Sequence, residues 1–243
     1  MSMSDFEQSE LDRVACSAAL GRYLGEARDL RLAAVSDPVH GQRRDRLREW
    51  QAARLARTHA DLLASPLYGT AASFFLDELY GPKDFSERDA EVERILPLMT
   101  SMLPVSGLRT LLLAVEVDAL SERFDAAMVR ALGAALDREL SEGAYAAAYR
   151  EVGDRSGRLL QIRLVGETGE ALDALARKPF VRGALKMMHG PAHLAGLGEL
   201  HGFLERGFEA FRSMRDADHS LESIVERERA IANALFAGRK LPA

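Results

Sequence analysis

The sequence predicts an all-α protein, a multi-helix bundle of roughly nine to eleven helices with no β-sheet. Apolar residues recur at three- and four-residue spacing along most of the chain, as in amphipathic helices. Nowhere do four or more apolar and polar residues alternate strictly between turn residues, as a half-buried strand requires. Prolines and glycines divide the chain into segments of helical length. We treat residues 1–243 as one helical domain, with merged sub-bundles at about 1–140 and 141–243 as the alternative.

The first three predicted helices are separated by prolines. A helix over about 4–35 ends before Pro38, because proline cannot continue it. A second, arginine-rich helix covers about 38–64. A third covers about 67–80 and closes with Gly81 in the left-handed cap position.

The fourth predicted helix begins with a capping box, in which Asp84 is the N-cap and Glu87 the third helical residue. It continues to about Met102 with Pro97 inside it, which predicts a kink. A long apolar segment then follows from Pro104 to about 140.

The remaining chain predicts five further helices. A short helix at about 141–152 is followed by a turn at Gly153 and Asp154. The others are expected at about 155–178, from 179 to His189, from Gly190 and Pro191 to about Met214, and at about 219–237. Because glycine weakens a helix, the glycines of the penultimate one indicate a close approach, for which a neighbouring helix is favoured over a flat ligand such as haem. These glycines are Gly196, Gly198, Gly202 and Gly207.

Composition and charge exclude several classes of protein. A net charge of -5 lacks the basic footprint that nucleic-acid binders usually carry, so no nucleic acid is expected as a partner. The longest apolar run, Leu111 to Val115, is too short to span a bilayer, so no membrane is expected either. Cys16 is the only cysteine, which rules out an intrachain disulfide. With an acidic N-terminus and no signal peptide predicted, we expect a cytoplasmic protein.

Four charged residues fall on apolar helix faces. Glu78 lies within the apolar arc of the third helix, and Arg109, Glu116 and Arg123 follow one another at seven-residue intervals along the apolar segment. Because an unpaired buried charge is costly, we predict that these residues form one buried polar network. The favoured interpretation is that this network fixes the register of two helices; the alternative is that it lines a pocket for a small polar ligand.

Three histidines are candidate pocket residues. His189 and His193 are four apart, but Gly190 and Pro191 are expected to break the helix between them. His193 and His201 are predicted on one helix, on its apolar side. Since no His-Glu-x-x-His sequence and no repeated Glu-x-x-His pair occurs, we predict no metal site and no cofactor.

Two basic segments have a structural explanation that competes with a role in binding. The arginines around Trp50 alternate with acidic residues, which is typical of a solvated, salt-bridged helix face. A second cluster surrounds Pro179 and can either hold an anion or satisfy a helix C-terminus. Its members are Arg177, Lys178, Arg182 and Lys186.

The segment Phe74–Tyr80 has the sequence Phe-Phe-Leu-Asp-Glu-Leu-Tyr, and with it the chain resembles bacterial proteins named for an FFLEELY motif. Asp77 replaces the first glutamate of the motif, and Glu78 matches the second. The resemblance covers most of the chain and implies a family of unassigned function with no catalytic residues. It includes the segments 47–51, 58–63, 84–89, 190–191 and 196–200.

The leading functional hypothesis is a non-enzymatic interaction or regulatory protein, with a protein partner or self-association through an apolar helix face. No Walker lysine loop, Gly-x-Gly-x-x-Gly or Gly-x-Ser-x-Gly sequence occurs to indicate an enzyme. The alternative is a small-molecule-binding protein or enzyme. Its pocket would lie between the Glu78 helix, the Arg109–Arg123 helix and the His193–His201 helix.

Overall fold

The computed structural model describes residues 3–78, 86–214 and 217–241, with side chains from 9–74, 90–101, 103–214 and 217–241. This part of the chain contains eleven α-helices, one short 3-10 helix and no strand, which confirms the all-α prediction. The helices are α1 (Met3–Ser36), α2 (Pro38–Thr58), α3 (Ala60–Leu63), α4 (Gly69–Glu78), α5 (Ser86–Met102), α6 (Val105–Leu132), the 3-10 helix (Gly133–Asp137), α7 (Glu142–Val152), α8 (Arg155–Ala176), α9 (Pro179–Leu194), α10 (Gly198–Ser213) and α11 (Ala217–Phe236).

Local capping chemistry explains several helix boundaries. The carboxylate of Asp37 accepts hydrogen bonds from the backbone N–H groups of Val39 and His40, and Pro38 is the first residue of α2. The hydroxyl of Ser141 caps α7 in the same way. The predicted cap at Gly81 and the capping box of Asp84 and Glu87 lie outside the described residues.

Three predicted boundaries differ from the structure. The arginine-rich α2 ends at Thr58, because His59 leaves helical geometry before the short α3 begins. The apolar segment is helical only to Leu132, since Gly133 has a positive φ of 48° and starts the 3-10 helix. No helix starts at Gly190: α9 runs on through Pro191.

The long helix α6 organises the larger part of the core. It packs against α1, α2, α7 and α8, and Leu108 and Met128 on it are completely buried. Leu47 of α2 and Leu136 of the 3-10 helix complete the cluster around Met128. Burial of such side chains supplies most of the folding free energy, at about 1.5–3 kcal/mol each.

A second core cluster joins α4, α8, α10 and α11. Phe74 of α4 and Phe211 of α10 are buried in it. The burial of Phe74 agrees with its place on the apolar side of the third predicted helix. A Cβ atom added at Gly207 would lie 2.9 Å from the ring of Phe74. Helices α4 and α10 therefore approach each other closely at Gly207, as the sequence predicted for the glycines of this segment.

No helix within the described ranges is both long and apolar enough to cross a membrane.

Candidate functional site

The four residues of the predicted polar network do not converge where the structure describes them. Arg109 and Arg123 are exposed, and Glu116 is half-buried. The side chain of Glu78 lies outside the described residues. Each of the other three contacts α1 instead: the Arg109 guanidinium donates to Asp12 over 2.7 Å, Glu116 accepts from the Tyr23 hydroxyl over 3.0 Å, and Arg123 lies 3.8 Å from Glu26.

The difference has a simple geometric cause. Residues seven apart share one side of a helix, and this side of α6 borders α1 at the edge of their interface. Long arginine side chains at such an edge cover apolar surface with their stems while the charged ends stay in water. The pairs therefore tie α1 to α6 at the surface.

The buried polar network of the described chain is centred on Glu122, which is only 2% exposed. Its carboxylate accepts hydrogen bonds from three arginines of α1 and α2. The donor distances are 2.9 Å from Arg31 Nε, 2.7 Å from Arg44 Nη2 and 2.5 Å from Arg48 Nη2. Burial alone would raise the pKa of Glu122, but the charges of Arg48, Arg31 and Arg44 together hold it below its usual value.

Two further carboxylates balance the three arginines. Asp118 pairs with Arg31, and Asp125 accepts hydrogen bonds from Arg48 over 3.0 Å and from Gln51 over 3.2 Å. The prediction of a solvated arginine face on α2 is therefore wrong for Arg44 and Arg48, which turn toward α6. Three positive charges meet three negative charges here, which is the arrangement of a structural ionic cluster.

A smaller buried group of three residues connects the C-terminal end of α2 to α11. Glu228 is contacted by Arg54 and by Nε2 of His59 at 3.1 Å. Burial would raise the pKa of Glu228, yet the hydrogen bond from His59 and the charge of Arg54 lower it. Beside it, bidentate hydrogen bonds from Arg227 lower the pKa of Asp61 to about 2.

The candidate histidines lie in a hairpin formed by α9 and α10. Gly196, with a φ of 66°, stands just after α9 in the left-handed cap position. The N–H of Leu197 donates to the Ala192 carbonyl, and the N–H of Gly196 donates to the His193 carbonyl. This is a Schellman motif, which reverses the chain and sets α10 against α9.

Helix α5 holds this turn from the side. The buried carboxylate of Glu91 accepts a hydrogen bond of 2.8 Å from the backbone N–H of Leu200, in the first turn of α10. Arg94 donates to the carbonyl oxygens of Ala195 and Gly196. Both contacts place α10, and His201 on it, in a defined position.

The hairpin brings the three predicted histidines together, by a route that the sequence did not predict. His189 and His193 share one side of the unbroken α9, whereas His201 lies on α10. The ring centroid of His189 is 4.7 Å from that of His193 and 5.5 Å from that of His201. Glu205, one turn after His201, was not identified from the sequence, although its four-residue spacing from a histidine was available as a signal.

Glu205 lies between two of the imidazoles. Its Oε2 is 3.4 Å from Nδ1 of His189, and its Oε1 is 3.3 Å from Nε2 of His201. We call His189, His193, His201 and Glu205 the histidine cluster. Its imidazole nitrogens and carboxylate oxygens are groups that can either hydrogen-bond to one another or coordinate a metal ion.

The helices expected to enclose a small-molecule pocket are not all neighbours. α4 packs on α10, but the extensive contacts of α6 are with α1, α2, α7 and α8. Two clefts, of about 400 and 530 Å³, are open to solvent along α1. Arg109 and Asp12 line the larger cleft, and neither cleft includes a residue of the histidine cluster.

The outer side of α9 exposes large apolar residues. Phe180, Met187 and Leu194 follow one another at seven-residue intervals and are 69%, 77% and 92% exposed. Met188 next to them is also exposed. We call these four residues the α9 stripe. Because the inner side of the same helix packs through Ala192, the stripe faces away from the protein.

Fold and site together define a helical protein with a buried ionic cluster, a histidine cluster and an exposed apolar stripe. A sequence model of the family described as "Domain of unknown function (DUF8198)" matches residues 31–242, and the chain belongs to this family. Comparisons with curated proteins and with solved structures gave no match. The family description assigns no function.

Proposed function

We propose that this protein is a non-enzymatic interaction protein of regulatory type, and that the α9 stripe is its docking surface. The observation that carries the proposal is the exposure of Phe180, Met187 and Leu194 on one side of one helix. Apolar side chains scattered singly over a surface are normal, whereas a contiguous apolar strip marks an interaction site. The resemblance to FFLEELY-motif proteins, which brings no catalytic residue, is compatible with this proposal.

The charge around the stripe indicates what kind of surface binds it. Residues 174–198 contain four basic residues and no acidic residue, although the whole chain has a net charge of -5. Arg177 and Arg182 pair with Asp173 and Glu209, whereas Lys178 and Lys186 have no ion pair among the described residues. The preferred partner is therefore a helix that carries both apolar and acidic side chains.

The chain itself offers such a helix at the start of α1. Leu11 and Val14 are exposed there, three residues apart, beside the exposed Glu10. The sequence before them adds Asp5 and Glu7. The partner proposed first is accordingly a second copy of the same chain.

Two copies can pair reciprocally, since each carries both surfaces and a two-fold axis relates the two contacts. Each large apolar side chain that becomes buried contributes about 1.5–3 kcal/mol. Much of this gain offsets the loss of translational and rotational freedom on association. A dissociation constant on the order of micromolar is therefore expected.

Sedimentation equilibrium over a range of protein concentrations tests the proposal. The wild-type chain is expected to form dimers, and Met187→Glu is expected to remain monomeric because it places a charge in the apolar contact. Leu32→Glu is the matched control, since Leu32 is a 57% exposed residue of α1. Circular dichroism spectra must show that both variants keep the helical fold.

Two results would overturn self-association through the α9 stripe. One is a wild-type chain that stays monomeric up to about 100 µM, where a micromolar dimer would be nearly complete. The other is a dimer that Leu32→Glu disrupts and Met187→Glu does not, which would locate the interface at another exposed apolar group.

A further inference from the structure

The most unusual polar atom of the histidine cluster is Nε2 of His201. The His201 side chain is only 5% exposed, and this nitrogen has no hydrogen-bond partner among the described residues. Its 3.3 Å contact with Glu205 lacks the geometry of a hydrogen bond. A buried polar atom without a partner costs about 1–3 kcal/mol, so the position favours a further group that binds the nitrogen.

The spacing of the surrounding atoms matches a metal site. One ligand atom each from His189, His201 and Glu205 can be chosen such that all lie within 4.8 Å of one another. Ligands of a tetrahedral zinc ion, with bonds near 2.0 Å, lie about 3.3 Å apart. Each oxygen of the Glu205 carboxylate is close to this spacing from one imidazole: Oε2 is 3.4 Å from Nδ1 of His189, and Oε1 is 3.3 Å from Nε2 of His201.

We infer that His189, His201 and Glu205 bind a divalent transition-metal ion of the zinc type. Two imidazoles and one carboxylate are a common set of zinc ligands, and they do not suit Mg²⁺ or Ca²⁺, which prefer oxygen. His193, whose ring is 4.7 Å from that of His189, can supply the fourth ligand by a rotation of its exposed side chain.

The site also has the rigid support that metal binding requires. His201 and Glu205 are one turn apart on α10, and Glu91 holds the first turn of that helix. His189 comes from α9 across the hairpin. A bound ion would therefore connect α9 and α10, which already pack on each other, and it would stabilise the folded hairpin. This inference does not depend on the proposed self-association.

The sequence prediction of no metal site rested on the absence of His-Glu-x-x-His and repeated Glu-x-x-His patterns, and the predicted helix assignment also kept the histidines apart. That assignment placed a break between His189 and His193, and one continuous helix between His193 and His201. With α9 unbroken and a reversal at Gly196, the same residues face one another.

Isothermal titration calorimetry with ZnSO₄ on the chelator-treated full chain tests the inference. The wild-type chain is expected to bind one ion per chain with a dissociation constant below about 10 µM. His189→Ala is the first variant, because His189 is exposed and its loss leaves the packing intact. We expect it to weaken binding by at least about tenfold, and Glu205→Gln to do the same.

His219→Gln is the matched control, since His219 is exposed on α11 and outside the cluster. It should bind Zn²⁺ like the wild-type chain. Titration with Co²⁺ gives a second readout, because a tetrahedral site produces strong visible absorption that His189→Ala should remove.

Three outcomes would overturn the inference: no binding by the wild-type chain, equal binding by wild type and His189→Ala, or an equal loss in His219→Gln. A monomeric Met187→Glu variant should still bind Zn²⁺. Failure of the metal site and failure of the proposed interface can thus be told apart.

Discussion

The cluster around Glu122 and the histidine cluster differ in burial and in charge balance: Glu122 lies inside the protein among oppositely charged side chains, whereas His201 is the one buried member of the histidine cluster. Every carboxylate of the first cluster contacts an arginine, and positive and negative charges are equal in number. In the second, a buried imidazole nitrogen has no hydrogen-bond partner within the described chain. In the first cluster Nε of Arg44 is also buried without a hydrogen-bond partner in the described chain, but a guanidinium N–H can only donate and cannot coordinate a metal ion.

This difference separates a structural polar site from a candidate binding site. The sequence suggested that charge on an apolar helix face was the feature to pursue. In the structure, buried charges that are balanced by opposite charges join helices, whereas an imidazole nitrogen without a partner beside other ligand atoms is a candidate for binding. The ionic cluster should therefore govern stability, and the α9–α10 hairpin should govern binding.

The largest expected effect is on the ionic cluster. Glu122→Gln removes one negative charge from among three arginines and leaves them partly unpaired in the interior. Breaking a buried pair in this way typically costs about 3–5 kcal/mol. Urea unfolding of wild type and variant should show this loss in the free energy of unfolding.

Asp137→Asn is the control for that measurement. Asp137 accepts two hydrogen bonds from Arg43 but is exposed, so water and salt screen the pair. We expect a much smaller change than for Glu122→Gln. If the two variants lose equal stability, the contrast between a buried cluster and a surface pair is wrong.

The second expected effect is on acid stability. Three arginines lower the pKa of Glu122, and His59 with Arg54 lowers the pKa of Glu228, in each case below the usual 4.5. The folded state therefore binds protons at these carboxylates less readily than the unfolded state does. Their contribution is fully present above pH 4.5 and is lost as the pH falls through the lower folded-state values. Urea midpoints measured from pH 7 to pH 3 should decline below about 4.5. Glu122→Gln should show a shallower decline.

The part of the fold that the sequence predicted well is local. Asp37 before Pro38 ends one helix and starts the next through contacts within three residues, and such contacts can be recognised in any sequence. The partners of Glu122 could not be recognised in this way. Arg31, Arg44 and Arg48 are 91, 78 and 74 residues away from it along the chain.

The histidine cluster was predicted in part. All three histidines were identified, but their helices were assigned wrongly because Gly190 and Pro191 were given more weight than Gly196. A glycine after the last residue of a helix is the commonest stop signal, and Gly196 fits it. The position of Glu205 against His189 depends on the hairpin turn, so the complete cluster was visible only in three dimensions.

The smallest expected effect is on the free energy of unfolding when either of two glycines in the hairpin is replaced by alanine. Gly207, on the inner side of α10, lies where a Cβ would be 2.9 Å from the Phe74 ring, and that ring is held by its neighbour Phe203. Around Gly183, on α9, the described chain places no atom from beyond the glycine's own helical turn within 4 Å of the Cβ position. Both are replaced by alanine, and the free energy of unfolding is measured by urea denaturation.

Opposite signs are expected. Gly183→Ala should stabilise the protein by about 0.5–1 kcal/mol, because alanine favours the helix and meets no obstacle. Gly207→Ala makes the same gain in helix propensity but forces the Phe74 ring to move, and crowding of this kind costs about 1–3 kcal/mol. The net result should be a loss of roughly 1 kcal/mol. A stabilising Gly207→Ala would mean that α10 can shift against α4, and the firm support inferred for His201 would then be absent. A destabilising Gly183→Ala would mean that α9 is covered on the side where the α9 stripe is proposed to bind.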